Sequence, residues 1–398
     1  MTFPFFFTWT AQRDAQPIEI ASGEGARFRD GLGQEWLDLG ALSYQANLGH
    51  GHPQVTAALV KQARSLSLAP PNAVFPAKID LARALLELSP RGFSKVFFTL
   101  SGSEANENAM KIARLSTGRH KFVSRYRSYH GASFGALSLT GDYRRPPLEP
   151  VLAGVLRVGD DAADIEAVLD AEGPEIAAVF LEPVPGANGV HVPPPDYFAR
   201  VRAACDRHGV LLVMDEVLCG FGRTGSCFGF EHWGIVPDMI TCAKGLTGGY
   251  APLGAVLVHQ RLAAQFDQRV LWAGLTAYAH PLGCAAGLAA VNAYRSENLF
   301  GRAAEFASPM RQLLETVAAG SAVATAVRSI GLLGAIDLDL SRAGWERLGA
   351  ELHRRHIHCH VYPRRGSIVV SPPLVIERQE LAAGIGLIGE AISAAVSG

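Results

Sequence analysis

The stretch Leu211-Leu-Val-Met-Asp215-Glu216-Val217, followed by Cys219-Gly-Phe-Gly-Arg223-Thr-Gly225, decides the fold class. Four apolar residues closed by an acid read as a strand buried on both faces, and such strands belong to parallel sheets covered by helices. The acid then stands at the C-terminal edge of the strand, where open α/β sheets bind ligands. A second stretch, Asp238-Met-Ile-Thr-Cys-Ala-Lys244-Gly-Leu-Thr-Gly248-Gly249, repeats the plan with a lysine. A short apolar run delivers Lys244 to a turn whose glycines let a ligand come close. A lysine whose amine is partly desolvated has a depressed pKa and can attack a carbonyl to form a Schiff base.

A third stretch supplies an anion site: Phe97-Phe-Thr-Leu-Ser101-Gly102-Ser103-Glu104-Ala-Asn106-Glu-Asn-Ala-Met-Lys111. Residues 96–100 read as a strand. Ser101 and Glu104 have capping-box spacing, and Ala105, Ala109, Ile112 and Ala113 recur with helical period, so a helix starts at Ser101 to Ser103. Its free N–H groups and positive dipole end favour a phosphate, Gly102 allows close approach, and Ser103 adds a hydroxyl. An amine, an acid and a phosphate cradle are what pyridoxal phosphate (PLP) requires. The amine holds its aldehyde, and the acid keeps its ring nitrogen protonated so that the ring acts as an electron sink.

With Tyr129-His130-Gly131, Glu182-Pro183, Gly220-Phe-Gly-Arg-Thr-Gly225 and Lys244 in the same order, the chain resembles the class III PLP-dependent aminotransferases. That family includes 4-aminobutyrate, ornithine, β-alanine and taurine aminotransferases and many amine transaminases. The resemblance runs from about Ile18 to about Val375 and implies fold type I: a large domain with a mostly parallel seven-stranded sheet, and a smaller α+β domain built from both termini. It implies that Lys244 forms the Schiff base and Asp215 pairs with the ring nitrogen. Tyr129 and Val217 would pack on opposite faces of the ring, with Ser101, Gly102, Ser103, His130 and Glu182 also at the cofactor. Thr276, in Gly274-Leu-Thr-Ala-Tyr-Ala-His280-Pro281, matches the threonine that reaches the phosphate bound by the partner subunit, which implies a homodimer with shared active sites. The chain departs from the family in carrying Ala279 where glycine usually precedes His-Pro.

The resemblance also bears on substrate. Tyr44 falls where amine and ω-amino-acid members place an aromatic pocket wall, and Arg364 or Arg365 stands where a carboxylate-binding arginine is often found. The expected reaction moves an amino group from an amine or ω-amino acid to a keto acid such as pyruvate or 2-oxoglutarate. Racemases, aminomutases and lyases of the same fold share Lys244 and Asp215 and are the alternative. A non-catalytic PLP-binding protein is a further one.

Composition is compatible with this reading. With 398 residues, 48% of them hydrophobic, the chain can bury the cores of two domains. A net charge of −1 without a basic run argues against nucleic acid as a partner. Cys205, Cys219, Cys227, Cys242, Cys284 and Cys359 have no CxxC spacing, which suits a reducing cytoplasm. Residues 1–10 are apolar but lack a basic start, are broken by Pro4 and have no clean cleavage site, so they read as an aromatic arm near the active site with Trp9 contributing to the pocket. No stretch is expected to reach the length of a transmembrane helix.

Strands are expected at 96–100, 121–125, 177–181, 211–214, 239–242 and 253–259, alternating with helices, and again at 18–20, 26–29, 35–39, 331–340, 358–362 and 367–370. The expected division is an arm and part of the small domain at 1–47, a PLP-binding domain at 48–280 and a small domain at 281–398. Three patterns read as decoys. Gly131-Ala-Ser133-Phe-Gly135 matches the serine-hydrolase elbow, but its strand ends too early. His353, His356, His358 and His360 beside Cys359, and the pair His50 and His52, have metal-like spacing without a completing motif. No metal is expected.

Overall fold

The computed structural model describes residues 3–397. An antiparallel ribbon opens the chain: Ile20–Glu24 (β1), Arg27–Asp30 (β2) and Glu35–Asp38 (β3). The first strand begins where the expected one ends.

The central sheet holds Phe93–Thr99 (β4), Lys121–Arg125 (β5), Val155–Val158 (β6), Ile176–Leu181 (β7), Leu211–Asp215 (β8), Met239–Cys242 (β9) and Gly254–His259 (β10), in the order β4-β10-β9-β8-β7-β5-β6. Strands β5 to β9 run parallel, and β10 is antiparallel to both β9 and β4. Every residue of β7 and β8 is buried, as their unbroken apolar runs require. The edge strand β6 escaped the sequence reading because four residues, one an arginine, carry too little alternation to register.

A smaller part combines the β1–β3 ribbon with the C-terminal third. Ala324–Ile330 (β11) and Leu333–Leu338 (β12) form a hairpin, followed by Ile357–His358 (β13), His360–Tyr362 (β14) and Ser367–Val370 (β15). One sheet runs β11-β12-β15-β14, while β13 pairs in parallel with β3. Two expectations are corrected. The strand expected at 331–340 begins only at Leu333, because Gly331 adopts a left-handed φ of 56° and makes the hairpin turn; β11, on its other side, was not foreseen. The strand expected at 358–362 divides at Cys359, and its halves join different sheets.

The membrane expectation also needs correcting. Arg378–Val396 is long and apolar enough to cross a bilayer by length and composition. Its Leu381, Ile385, Ile388 and Ile392 are buried, however, and the helix packs on the helices Ala307–Ala319 and Arg342–Arg354, so it is a core helix of the smaller part.

Arg223 ties the parts together. It is fully buried and donates through Nη1 to the carbonyls of Leu332 and Pro372 and through Nη2 to Asn47 Oδ1 at 2.8 Å. Burial pushes its guanidinium down to about 10. Arg223→Met strands three acceptors, each with a desolvation penalty of about 1–3 kcal/mol, so the variant should lose about 3 kcal/mol or more. Urea unfolding checks this; a loss below about 1 kcal/mol would mean the three acceptors find water instead.

Candidate active site

Asp215 is the last residue of β8 and is 3% exposed. Its Oδ2 accepts hydrogen bonds from Asn106 Nδ2 and His130 Nδ1, both at 2.7 Å, and its Oδ1 accepts from Val217 N at 3.0 Å. Asn106 also donates to the His130 carbonyl at 2.8 Å and accepts from Thr241 of β9 at 2.8 Å. A carboxylate has about four acceptor sites, so three donors leave room for one more.

The lysine follows from the next strand. β9 ends at Cys242, and Lys244 sits two residues beyond with φ 42°, a left-handed backbone that costs a non-glycine residue about 1–2 kcal/mol. Main-chain hydrogen bonds from Thr247 and Gly249 to the Lys244 carbonyl hold this turn. Burial lowers the amine's pKa, opposed by the charge of Asp215. Lys244 Nζ lies 5.6 Å from the centre of the Tyr44 ring.

The cradle is the N-terminus of helix Gly102–Thr117. Ser101 caps it, accepting from Glu104 N at 3.2 Å, while Glu104 Oε2 reaches back to Leu100 N at 2.7 Å. A Cβ on Gly102 would come within 2.7 Å of Val217, so glycine is what lets the helix start lie against that side chain. Gly131, at φ 134°, brings its loop to the helix, where a Cβ would collide with Ser103 Oγ at 2.4 Å. Ser103 Oγ meets Ser133 Oγ at 2.6 Å and accepts from Ser133 N at 3.1 Å. Ser133, the residue of the elbow-like pattern, is therefore a neighbour of the cradle.

One cavity of about 440 Å³ joins these groups: Ser101, Gly102, Ser103, Tyr129, His130, Ser133, Glu182, Asp215, Val217 and Lys244 all line it. Glu182 accepts from Tyr129 N at 2.8 Å, and burial pushes its carboxyl up to about 7. An amine, a carboxylate with a spare acceptor site and an anion-binding helix start, arranged around one cavity, fit pyridoxal phosphate.

Other expected residues lie outside the cavity lining. Thr276 is exposed on the loop before helix Pro281–Ser296. Ala279 on that loop has φ 51°, the conformation glycine adopts without strain. Trp9 is 56% exposed, 5.6 Å from the Arg144 guanidinium. Arg364 is exposed over the Tyr143 ring, and Arg365 Nε is buried without a partner. Tyr44 is buried, hydrogen-bonds Tyr362 (2.9 Å between hydroxyl oxygens) and stacks on His360.

The histidines divide among separate tasks. His50 and His358 bond to Asp38 at 3.0 and 2.8 Å, His360 meets the Gly40 carbonyl at 2.9 Å, His52 pairs with Glu297 at 3.0 Å, and His353 and His356 flank Trp36. Among the described residues no three His, Cys, Asp or Glu side chains are grouped to hold a metal. Sequence reasoning missed Asn106, although a polar residue on the apolar stripe with Ala109 and Ala113 was a usable signal. It also missed the packing of Arg144 on Tyr129, a contact with no local signal.

The aminotransferase class-III family model matches residues 9–392. The chain belongs to the class III aminotransferases. An acetylornithine aminotransferase of Methanothermobacter thermautotrophicus is 36% identical over 380 residues, 95% of this chain and 94% of that one. An omega-aminotransferase of Caulobacter vibrioides is 34% identical, covering 94% of this chain and 93% of its own. Among solved structures, the taurine:2-oxoglutarate aminotransferase of Bifidobacterium kashiwanohense, in complex with PLP and glutamate, superposes with a TM-score of 0.93 at 31% identity, covering 98% and 95% of the two chains. A PLP-bound amine transaminase from an uncultivated Pseudomonas species gives 0.92 at 32%, covering 100% and 99%. This aminotransferase is a PLP-dependent enzyme of fold type I.

The raised carboxyl of Glu182 makes stability depend on pH. A group protonated more readily in the folded than in the unfolded state contributes fully below the ordinary carboxylate value, and that contribution is lost as pH rises through about 7. Glu182→Gln keeps an acceptor for Tyr129 N–H and removes the titration. The apoprotein's Tm should therefore fall less steeply in the variant than in the native chain between about pH 5 and about pH 8. Equal slopes would assign the dependence to other groups.

Proposed function

We propose that the enzyme transfers an amino group from an amine or ω-amino acid to a keto acid such as pyruvate or 2-oxoglutarate, with Lys244 as the covalent anchor and proton carrier. The observation that carries the residue roles is the convergence of the Lys244 amine, the Asp215 carboxylate and the helix start at Gly102 on one cavity. The named substrates of the taurine:2-oxoglutarate aminotransferase and the name of the omega-aminotransferase support the substrate class. The Tyr44–Tyr362 pair, with the Tyr44 ring 5.6 Å from Lys244 Nζ, supports it too.

When bound, pyridoxal phosphate supplies an aldehyde that takes up the amino group and a ring that spreads the charge left by proton removal. The chain supplies the rest. Helix N–H groups at 102 and 103 and the Ser103 hydroxyl would hold the phosphate. Tyr129 and Val217, which line the cavity, would bound the ring, and Asp215 would offer its remaining acceptor site to the ring nitrogen. His130 and Asn106 keep that carboxylate from turning. Burial lowers the pKa of Lys244 Nζ, the direction that would suit it to carry the proton from the substrate carbon.

A homodimer with shared sites accompanies this reading. Val270 and Trp272, on the loop before Thr276, are 62% and 74% exposed, apolar surface that a second copy would cover while bringing Thr276 to the neighbouring phosphate. A cytoplasmic enzyme divided at 47/48 and 280/281 completes the proposal.

Two experiments test it. Titration of the holoenzyme with a panel of amines should convert the cofactor's absorption band for a subset, and one keto acid should restore it. Borohydride fixation and peptide mapping should place the cofactor on Lys244, and Lys244→Ala should bind it without turning over. A label elsewhere, or no conversion with any amine, defeats the assignment.

For the dimer, Lys244→Ala and Thr276→Ala chains are mixed and reassociated. In a shared site, one site of each mixed dimer carries both defects and the other neither, so activity rises above that of either parent. Mixed dimers that form without recovery would mean that each site is built within one chain.

A further inference from the structure

Lys244 Nζ stands over the Tyr44 ring, 5.6 Å from its centre, within the range at which an aromatic face attracts a cation. The rest of the Tyr44 side chain is already engaged. Its hydroxyl pairs with that of Tyr362 at 2.9 Å, and burial holds the phenol protonated by raising its pKa well above the ordinary value. His360 stacks on the ring, with centroids 3.7 Å apart and planes 16° apart. Burial pushes that imidazole down to about 3, so it is uncharged and does not compete with the amine for the ring. Tyr44 is only 5% exposed, and a cation–π contact is strongest where water is excluded.

The turn that carries the ring is strained: Ala41, Leu42 and Tyr44 all have left-handed backbones, with φ of 45°, 53° and 63°. Such strain persists only where the surroundings over-determine it. Here Asp38 does so. Its buried carboxylate accepts from Gly40 N at 3.1 Å and Leu42 N at 3.0 Å, while His50 and His358 hold it at 3.0 and 2.8 Å. None of the three lines the Lys244 cavity, so any effect they have on the amine passes through the turn.

A proton carrier must hold its proton as well as take it. Burial disfavours the charged form of Lys244, as does the charge of Arg144, whereas Asp215, Glu182 and Cys219 favour it. We propose that the Tyr44 ring joins the second group by stabilising the ammonium form of Lys244, and that Asp38, braced by His50 and His358, is the positioning residue that keeps the ring there. This role rests on Lys244 being the reacting amine of an aminotransferase. The ring attracts the charged amine and not the neutral one, so its effect falls on protonation.

The test is trace labelling of Lys244 with acetic anhydride across a range of pH, read by mass spectrometry of the peptide that contains it. The enzyme is loaded with pyridoxamine phosphate, which leaves the amine free. Only the neutral amine reacts, so the midpoint of the profile reports its proton affinity. That midpoint should fall by about 0.3 to 1 pH unit in Tyr44→Leu and stay within about 0.2 of the native value in Tyr44→Phe, which keeps the ring. Asp38→Asn should shift it in the same direction, and the double variant should fall no further than Tyr44→Leu alone. An unchanged or raised midpoint in Tyr44→Leu overturns the proposal. A fall in Tyr44→Leu with none in Asp38→Asn overturns the positioning role of Asp38. Should Asp38→Asn fail to fold, His358→Gln is measured in its place. If the chain takes up no pyridoxamine phosphate, the aminotransferase reading has failed, and the same labelling of the unloaded chain still judges Tyr44.

Discussion

The Asp215 carboxylate accepts three hydrogen bonds in a site almost closed to solvent, and the surrounding elements are positioned by satisfying it. One donor comes from helix Gly102–Thr117, one from the loop after β5 and one from the main chain just past β8. Hydrogen bonds to a charged group contribute about 1.5–3 kcal/mol each, and leaving such a group unpaired costs more, so these three elements cannot shift independently. Asn106 extends the constraint to β9 through Thr241, the strand that carries Lys244. The spacing between acid and amine is thus set by a hydrogen-bonded network that crosses two strands and a helix.

A second buried carboxylate, Asp38, does comparable work near Tyr44. Asp38 accepts from the main-chain N–H groups of Gly40 and Leu42 and from His50 and His358. Burial alone would raise its pKa, but hydrogen bonds from the two histidines hold it below the usual carboxylate range. The segment it grips contains Ala41, Leu42 and Tyr44 at φ 45°, 53° and 63°, each a conformation that costs a non-glycine residue roughly 1–2 kcal/mol. This strain places Tyr44 between Lys244 and His360. Backbone strain of this kind concentrates at functional sites, where the surrounding structure over-determines it.

Burial also divides the acids by role. Glu182 and Glu216 are pushed up to about 7 and about 8 by burial. Glu182 faces the cavity, whereas Glu216 takes the N–H groups of Gly229 and Phe230 and pins the loop that follows β8. Adjacent carboxylates in Asp215-Glu216 therefore serve different ends: one is held by donors and presented to the cavity, the other is spent on the main chain.

By itself the sequence determined the α/β class, the strands that end at Asp215 and just before Lys244, the capped helix at Ser101 and the family, because each rests on local pattern: an unbroken apolar run, a capping box, a glycine-rich turn. Even Asn106 was legible as a polar intruder on an apolar stripe. Tertiary structure alone decided what the histidines do. Their metal-like spacing reads as a decoy and assigns no role in its place; the strand expected through Cys359 divides between two sheets, so His358 goes to Asp38 and His360 to Tyr44. It alone also placed the Arg144 guanidinium beside Tyr129, Tyr143 and Trp9. The reason is physical: a guanidinium stacked among Tyr129, Tyr143 and Trp9 depends on three residues brought together by folding, and no periodicity along the chain encodes that meeting.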